Sequence, residues 1–225
     1  LVVGHRNPDN DSISAAVGYA HLKNALAARD GEAEAVEYVP ARLGPLPVES
    51  AWLLERNDIP EPVLIDNVNP VEHDGETVRQ KVILVDHNEV AQAAPGIEEA
   101  EVVEIIDHHR IADVTTANPI LFLNLPIGST ATIVTLQFRQ TGIELPDAIA
   151  RVLLSAILTD TVIMKSPTCT QVDIDQVNFL ADKLGIDAVE FGMEIFRTRG
   201  GEDTMPIAKL VEADSKEFKV NDDVT

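Results

Sequence analysis

Val102-Val103-Glu104-Ile105-Ile106-Asp107-His108-His109-Arg110 decides how the chain is read. The apolar pairs Val102-Val103 and Ile105-Ile106 have the makeup of a short buried strand that empties into a carboxylate and two imidazoles. In an open α/β sheet, groups at the carboxyl end of a strand face the crevice where ligands bind. An Asp and two His there can hold a metal, move a proton or bind an anion. A polar strand end that merely carries two histidines reads the same way, so the rest of the chain has to decide.

The same pattern recurs upstream. Lys81–Val85 is a second apolar strand and ends in Asp86-His87-Asn88-Glu89. Leu1-Val2-Val3 is the tail of another and runs into Gly4-His5-Arg6-Asn7-Pro8-Asp9-Asn10-Asp11. Ser12 is a good N-cap for a helix from Ile13 to about Ala28, whose apolar residues recur at helical spacing. Helix capping explains Asp11. It does not explain His5 and Asp9, which the sequence places too far upstream.

Between these motifs the sequence predicts a strand at Ala35–Val39, a loop from Arg42 to Pro47, a helix at Glu49–Arg56 and a strand at Val63–Ile65. Residues 66–80 read as irregular. Past the opening motif it predicts a strand at Ile120–Leu123 and a helix from Gly128 to about Gln140. The apolar segment Asp147–Leu158 is a further helix, with Asp160 at its C-terminal end. A carboxylate there opposes the helix dipole and asks for a compensating cation. Thr170 and Asp173 form a capping-box variant for a helix closed by Gly185. Ala188–Phe196 is helical and breaks at Arg199-Gly200-Gly201; Met205–Ala213 and Glu217–Val220 read as a helix and a strand.

Fold class follows as α/β, a mainly parallel sheet with helices on both faces, plus the start of a second domain. Residues 1–190 form the metal-binding domain, and 191–225 a linker and the beginning of a C-terminal domain that is cut short.

Parallel strands feeding one crevice bring their ends together. Four of the six histidines, His5, His87, His108 and His109, lie in the strand-end motifs. With Asp9, Asp11, Asp86, Asp107 and Asp160 they make a set too negative to bury without cations. Mixed His and Asp donors suit first-row divalent ions better than calcium. His21 and His73 read as structural.

Composition sets the outer limits. The 225 residues are 45% hydrophobic but only 4% aromatic, so the core is aliphatic. A net charge of −21 repels a polyanion, which argues against extended DNA or RNA as a partner. No stretch reaches the length of a membrane span. The single Cys169 excludes an internal disulfide and fits a reducing, cytoplasmic compartment.

The motifs Gly-His-Arg-Asn-Pro-Asp-Asn-Asp (4–11), Val-Asp-His-Asn-Glu (85–89), Ile-Asp-His-His-Arg (106–110) and Leu-Thr-Asp-Thr (158–161) resemble those of the DHH phosphoesterase superfamily. Val-Asp-His-Asn-Glu together with Lys-Ser-Pro-Thr-Cys-Thr (165–170) is more specific and resembles the family II, manganese-dependent inorganic pyrophosphatases, as does Asp-Ser-Lys-Glu-Phe (214–218). The resemblance implies hydrolysis of pyrophosphate to two phosphates by a two-metal site with a metal-bridging water as nucleophile. It implies two Mn2+ ions, with Co2+ a substitute and Mg2+ arriving with the substrate, and a homodimer.

On that resemblance, His5, Asp9 and Asp86 would hold one ion, and Asp11, Asp86, His108 and Asp160 the other, with Asp86 shared. Asp86, His108 and His109 carry the catalytic assignment. His109, Arg110 and Lys216 would meet the substrate, and Asp107 and His87 would support the ligands. The later Arg-Lys-Lys signature that clamps phosphates in the family has no counterpart here. Some relatives insert nucleotide-sensing CBS domains between the first two motifs; that interval is too short here to hold one, and 66–80 marks its place. The competing reading is a related phosphoesterase acting on short oligonucleotides, cyclic dinucleotides or polyphosphate. A further one is a non-catalytic metal-binding module.

Overall fold

Val2-Val3 and Ile83-Leu84 lie side by side at the centre of a six-stranded sheet. The computed structural model describes residues 1–200. The strands are β1 (Val2–Arg6), β2 (Pro40–Leu43), β3 (Val63–Leu64), β6 (Lys81–Val85), β7 (Glu101–Asp107) and β8 (Leu121–Asn124), in the order β3-β2-β1-β6-β7-β8. Every neighbouring pair is parallel. A small antiparallel hairpin, β4 (Val71–His73) and β5 (Glu76–Val78), stands apart within the stretch that reads as irregular. The chain steps outward one way from β1 to β3 and the other way from β6 to β8. The strand order therefore reverses between β1 and β6, and in such sheets ligands bind at that switch point.

The helices are α1 (Asn10–Asp30), α2 (Val48–Arg56), α3 (Thr130–Thr141), α4 (Asp147–Asp160), α5 (Gln171–Leu184) and α6 (Ala188–Gly200). The parallel α/β sheet is as expected, with one refinement concerning its faces. Val2, Ile83, Val85 and Ile106 pack in one core with buried residues of all six helices. Val3, Val82, Leu84 and Ile105 pack instead against Val68 and the Ala93–Ala100 turns. Right-handed crossovers explain the split: connections running in opposite directions along the sheet fall on opposite faces. The β6–β7 connection is a short stretch holding Pro95 and Gly96, enough for a 3-10 turn at Val90–Gln92 and no full helix.

The strand predicted at Ala35–Val39 begins later, at Pro40. The Asn24 side chain holds both the amide and the carbonyl of Tyr38 at 2.8 Å, and Glu32 accepts from Ala35 and Val36. These contacts tie the segment to α1 and the turn after it, and its first bond to β1 is from the Val2 amide to the Val39 carbonyl at 2.9 Å. Pro40 is tolerated as the first residue of its strand. The capping box at Thr170 and Asp173 is present, and Gly31, Gly142 and Gly185 close their helices in left-handed conformation.

Asp173 does more than cap. Its buried carboxylate also accepts from the Gly128 amide at 2.8 Å and the Thr132 hydroxyl at 2.6 Å, tying α5 to the start of α3. Asp173→Ala loses a cap worth ~1 kcal/mol and leaves two buried donors unpaired at ~1–3 kcal/mol each. We expect a loss of at least ~3 kcal/mol in urea unfolding; a variant within ~1 kcal/mol of wild type, on the scale of a cap alone, would mean these bonds are individually dispensable.

At Gly18, α1 packs closely on α4 and α3. A Cβ there would stand 2.7 Å from Leu153 Cδ2 and 3.3 Å from Val134 Cγ1. Leu153 is fully buried and has no free direction to move. Gly18→Val should therefore cost ~1–3 kcal/mol by overpacking, against a smaller gain in helix propensity. A melting temperature equal to or above wild type would show that α1 and α4 can separate.

α6 runs through position 190 and continues to Gly200, with Ile195 and Phe196 buried. Its Arg199 and Glu194 pair with Glu49 and Arg56 of α2 at 2.6 and 2.7 Å. Lys216, Asp214–Phe218, the helix expected at Met205–Ala213 and the strand expected at Glu217–Val220 lie outside the described residues. Among the described residues no helix is long and apolar enough to cross a membrane.

Candidate metal centre

The motif histidines and carboxylates between residues 5 and 160 gather at the carboxyl ends of β1, β6 and β7. Gly4 allows the first loop to close: a Cβ there would sit 2.0 Å from Ser12 Oγ, which instead accepts the His5 amide at 2.8 Å. The N-cap of α1 is Asp9, not Ser12. Asp9 Oδ1 accepts from the Ser12 amide at 2.9 Å, while Oδ2 lies 3.5 Å from His5 Nε2. The helix starts three residues earlier than its apolar stripe, so Asp9 is close enough both to cap and to face the site.

Asp86 comes directly after β6 in left-handed conformation, φ 64°, which Asp tolerates better than most residues. It is buried, and its two oxygens face opposite ways. Oδ2 lies 3.4 Å from His5 Nε2. Oδ1 lies 3.4 Å from His108 Nε2 and accepts the Thr130 hydroxyl at 3.0 Å. His108 Nε2 is also 3.9 Å from Asp11 Oδ2 and 3.8 Å from Asp160 Oδ2. Two donor groups converge within 4.8 Å: His5, Asp9 and Asp86, and Asp11, His108 and Asp160.

The imidazoles are oriented by their second nitrogens. His5 Nδ1 donates to the Arg6 carbonyl and His108 Nδ1 to the Ile127 carbonyl, leaving both Nε2 lone pairs for the site. His109 differs. It joins Asp86 and His108 in a third convergent group, but its Nδ1 donates to Asp107 Oδ1 at 2.9 Å. That nitrogen is occupied, and the ring is half-exposed. Asp107 is further held by the Asn88 amide, which also bonds the Arg110 carbonyl. Arg110 is exposed at the mouth of the cleft, 3.8 Å from Glu89.

Asp11 shows what the sequence hides. Its carboxylate accepts from the Ser129 hydroxyl and from the Thr130 and Ala131 amides, so the N-terminus of α3 holds it in place. Pattern alone does not single out Ser129, Thr130 or Asn88. Gly128-Ser129-Thr130 signals a helix start, and only the fold shows that this start faces the site.

The charges are strained against one another. Burial, then Asp86, pushes Asp11 up to about 7. Burial, then Asp11, Asp9 and Asp86, raises Asp160 well above the carboxylate range. Burial acts most strongly on Asp86 too, yet His108 and His5 override it and hold the group well below its ordinary value. Burial lowers His5 and His108, but Asp86 with Asp9 raises the first to about 11, and Asp86 with Asp11 raises the second to about 10. Hydrogen bonding to Asp107 raises His109, and burial lowers His87. Protons thus occupy positions that cations would neutralise. Among the described residues Asp86 Oδ2 is buried with no hydrogen-bond donor. Mixed N and O donors around such an atom fit a first-row divalent ion.

Comparison with known proteins accords with this geometry. Residues 1–157 match the DHH family, N-terminal domain. A probable manganese-dependent inorganic pyrophosphatase of Brevibacillus brevis is 40% identical over 221 residues, 98% of this chain and 66% of the relative. A manganese-dependent inorganic pyrophosphatase of Methanothrix thermoacetophila is 39% identical over 217 residues, 96% of this chain and 65% of the relative. The crystal structure of a Methanococcus jannaschii protein assigned to the family II inorganic pyrophosphatases superposes with a TM-score of 0.73 at 37% identity, over 88% of this chain and 60% of that one. The chain thus spans about two thirds of the length of the curated relatives it matches.

Proposed function

The chain belongs to the DHH family and, within it, to the manganese-dependent inorganic pyrophosphatases, and on that premise we propose that it hydrolyses inorganic pyrophosphate to two phosphates. The observation that carries the reading is Asp86, one carboxylate whose oxygens face two separate donor groups. His5, Asp9 and Asp86 would hold one Mn2+, and Asp11, Asp86, His108 and Asp160 the other, with Co2+ able to replace them and Mg2+ entering with the substrate. A pair of divalent ions supplies an activated water and stabilises charge on phosphoryl oxygens.

The residues do the rest. The Arg6 and Ile127 carbonyls fix the His5 and His108 rings, and the α3 N-terminus fixes Asp11. His109, oriented by Asp107, presents its free nitrogen to the departing phosphate, and Arg110 and Lys216 add positive charge. A malachite-green assay with pyrophosphate and Mn2+ tests the activity. Turnover of a cyclic dinucleotide or short oligonucleotide in preference to pyrophosphate would instead favour the broader phosphoesterase reading.

We propose further that the protein works in the cytoplasm as a homodimer and binds no nucleic acid. Sedimentation at micromolar concentration should give twice the chain mass, and a monomer would refute the dimer. With a charge of −21, no electrophoretic shift of duplex DNA is expected at ~150 mM salt; micromolar binding would contradict this.

A further inference from the structure

Of the motif histidines, His87 and His109 are claimed by neither ion, and of these two only His87 is given no contact with the substrate. It is 3% exposed, and its ring lies edge-on to His5 with centroids 6.5 Å apart. Its Nδ1 lies 2.9 Å from the Val85 carbonyl, which can only accept, so Nδ1 carries the proton and Nε2 offers a lone pair. That Nε2 is buried and, among the described residues, has no donor. His87 belongs to none of the donor groups that converge within 4.8 Å, so it is not placed as a metal ligand.

Neighbouring donors are committed elsewhere. The Asn88 amide is held by Asp107 and the Arg110 carbonyl, His5 Nδ1 lies on the Arg6 carbonyl, and the Thr130 hydroxyl is on Asp86. Asp86 Oδ2, the other buried acceptor without a donor, is on the adjacent residue. Both residues line one cleft of about 210 Å3 with His5, Asp9 and His109. A water molecule needs only ~30 Å3. Two orphan acceptors at one cleft are met by a cation on the carboxylate and a hydrogen-bond donor on the imidazole.

We propose that His87 is a positioning residue: its Nε2 accepts a hydrogen bond from a water molecule in the metal cleft and sets where that water stands. The proposal rests on the two-ion reading above. It does not rest on the identity of the substrate.

The test loads the full chain with Mn2+ and measures water-proton relaxation and 17O-water ENDOR for wild type, His87→Phe and His87→Gln. Phe keeps a flat ring and removes both the Nε2 acceptor and the Nδ1 donor to Val85, while Gln restores an acceptor oxygen at similar reach. We expect His87→Phe to keep both ions and to show an altered water signature that His87→Gln restores; metal-free it should melt near or below wild type, because Phe also deletes the Nδ1–H bond to the Val85 carbonyl. With pyrophosphate, kcat should fall ~10–100-fold in His87→Phe with KM little changed, as for other groups that support a metal site. Should the Phe variant fold poorly, His87→Asn, whose short amide stops near the Nδ1 position, serves as the acceptor-deleted form.

An unchanged water signature in the acceptor-deleted variant overturns the proposal. So does the loss of one ion, which would make His87 a ligand. If the variants show the signature change while the wild type leaves pyrophosphate intact, the substrate reading is refuted and the role of His87 stands.

Discussion

Replacing Asp86 by alanine is expected to abolish tight binding of both manganese ions at once. No other carboxylate among the described residues of the site has its oxygens divided between the two donor groups, with Oδ2 toward His5 and Oδ1 toward His108, each at 3.4 Å. Removing it leaves His5 and Asp9 on one side and Asp11, His108 and Asp160 on the other, with nothing in common. Loss of a group that only supports a ligand typically costs ~10–100-fold in affinity, and loss of a shared ligand should cost more on each ion. Asp11→Ala is the contrasting case, because His5, Asp9 and Asp86 remain as a group. It should lose one ion and keep the other. Equilibrium dialysis showing two ions on Asp86→Ala would rule out the shared-ligand assignment. A single ion lost from that variant would show that one group closes without it.

The contrast between Asp86 and Asp11 also shows where sequence reasoning stops. The strand ends were legible because a parallel strand buried on both faces is a nearly continuous apolar run; Val82–Val85 is one, and Val102–Ile106 is broken only by Glu104. Residues just past such a run face the crevice, so Asp86, His108 and His109 were accessible from pattern alone. The capping role of Asp9 was not. The apolar periodicity of α1 begins at Ile13, whereas its first turn is polar, with Asn10 bonded to Ser50, Ser155 and Thr159 and Ser12 to the His5 amide, and the helix therefore looks shorter than it is.

The partners of Asp11 were hidden for another reason. Ser129, Thr130 and Ala131 lie more than a hundred residues away, and only the packing of α3 against α1 brings them to it. The late start of β2 has a local cause, the Asn24 clamp on Tyr38, that no periodicity records. Metal ligands that terminate strands can be read from a sequence; the groups that hold those ligands still belong to the tertiary fold.

A polypeptide of residues 1–225 is expected to bind manganese yet hydrolyse pyrophosphate slowly. The proposed ligands all lie between His5 and Asp160, on elements that share one core. Charge developing on the departing phosphate needs positive groups on the side away from the ions. Among the described residues of the metal cleft, His109 and Arg110 can supply them, and Arg110 is exposed and only loosely paired with Glu89. Lys216 is the remaining proposed contact. Absence of one well-placed stabilising donor typically costs ~10²–10³ in turnover, and absence of several should cost more.

Joining residues 1–225 to the remaining third of the Brevibacillus brevis relative should therefore raise kcat by at least ~10² without changing the number of ions bound. In that longer chain His109→Gln should lower kcat while both ions stay, because His109 Nδ1 is committed to Asp107 rather than to a metal. Loss of an ion from His109→Gln would instead assign it to the group it forms with Asp86 and His108. If residues 1–225 alone match the longer chain in kcat, the positive groups that complete the reaction lie within them, and Arg110 and Lys216 become the first residues to replace.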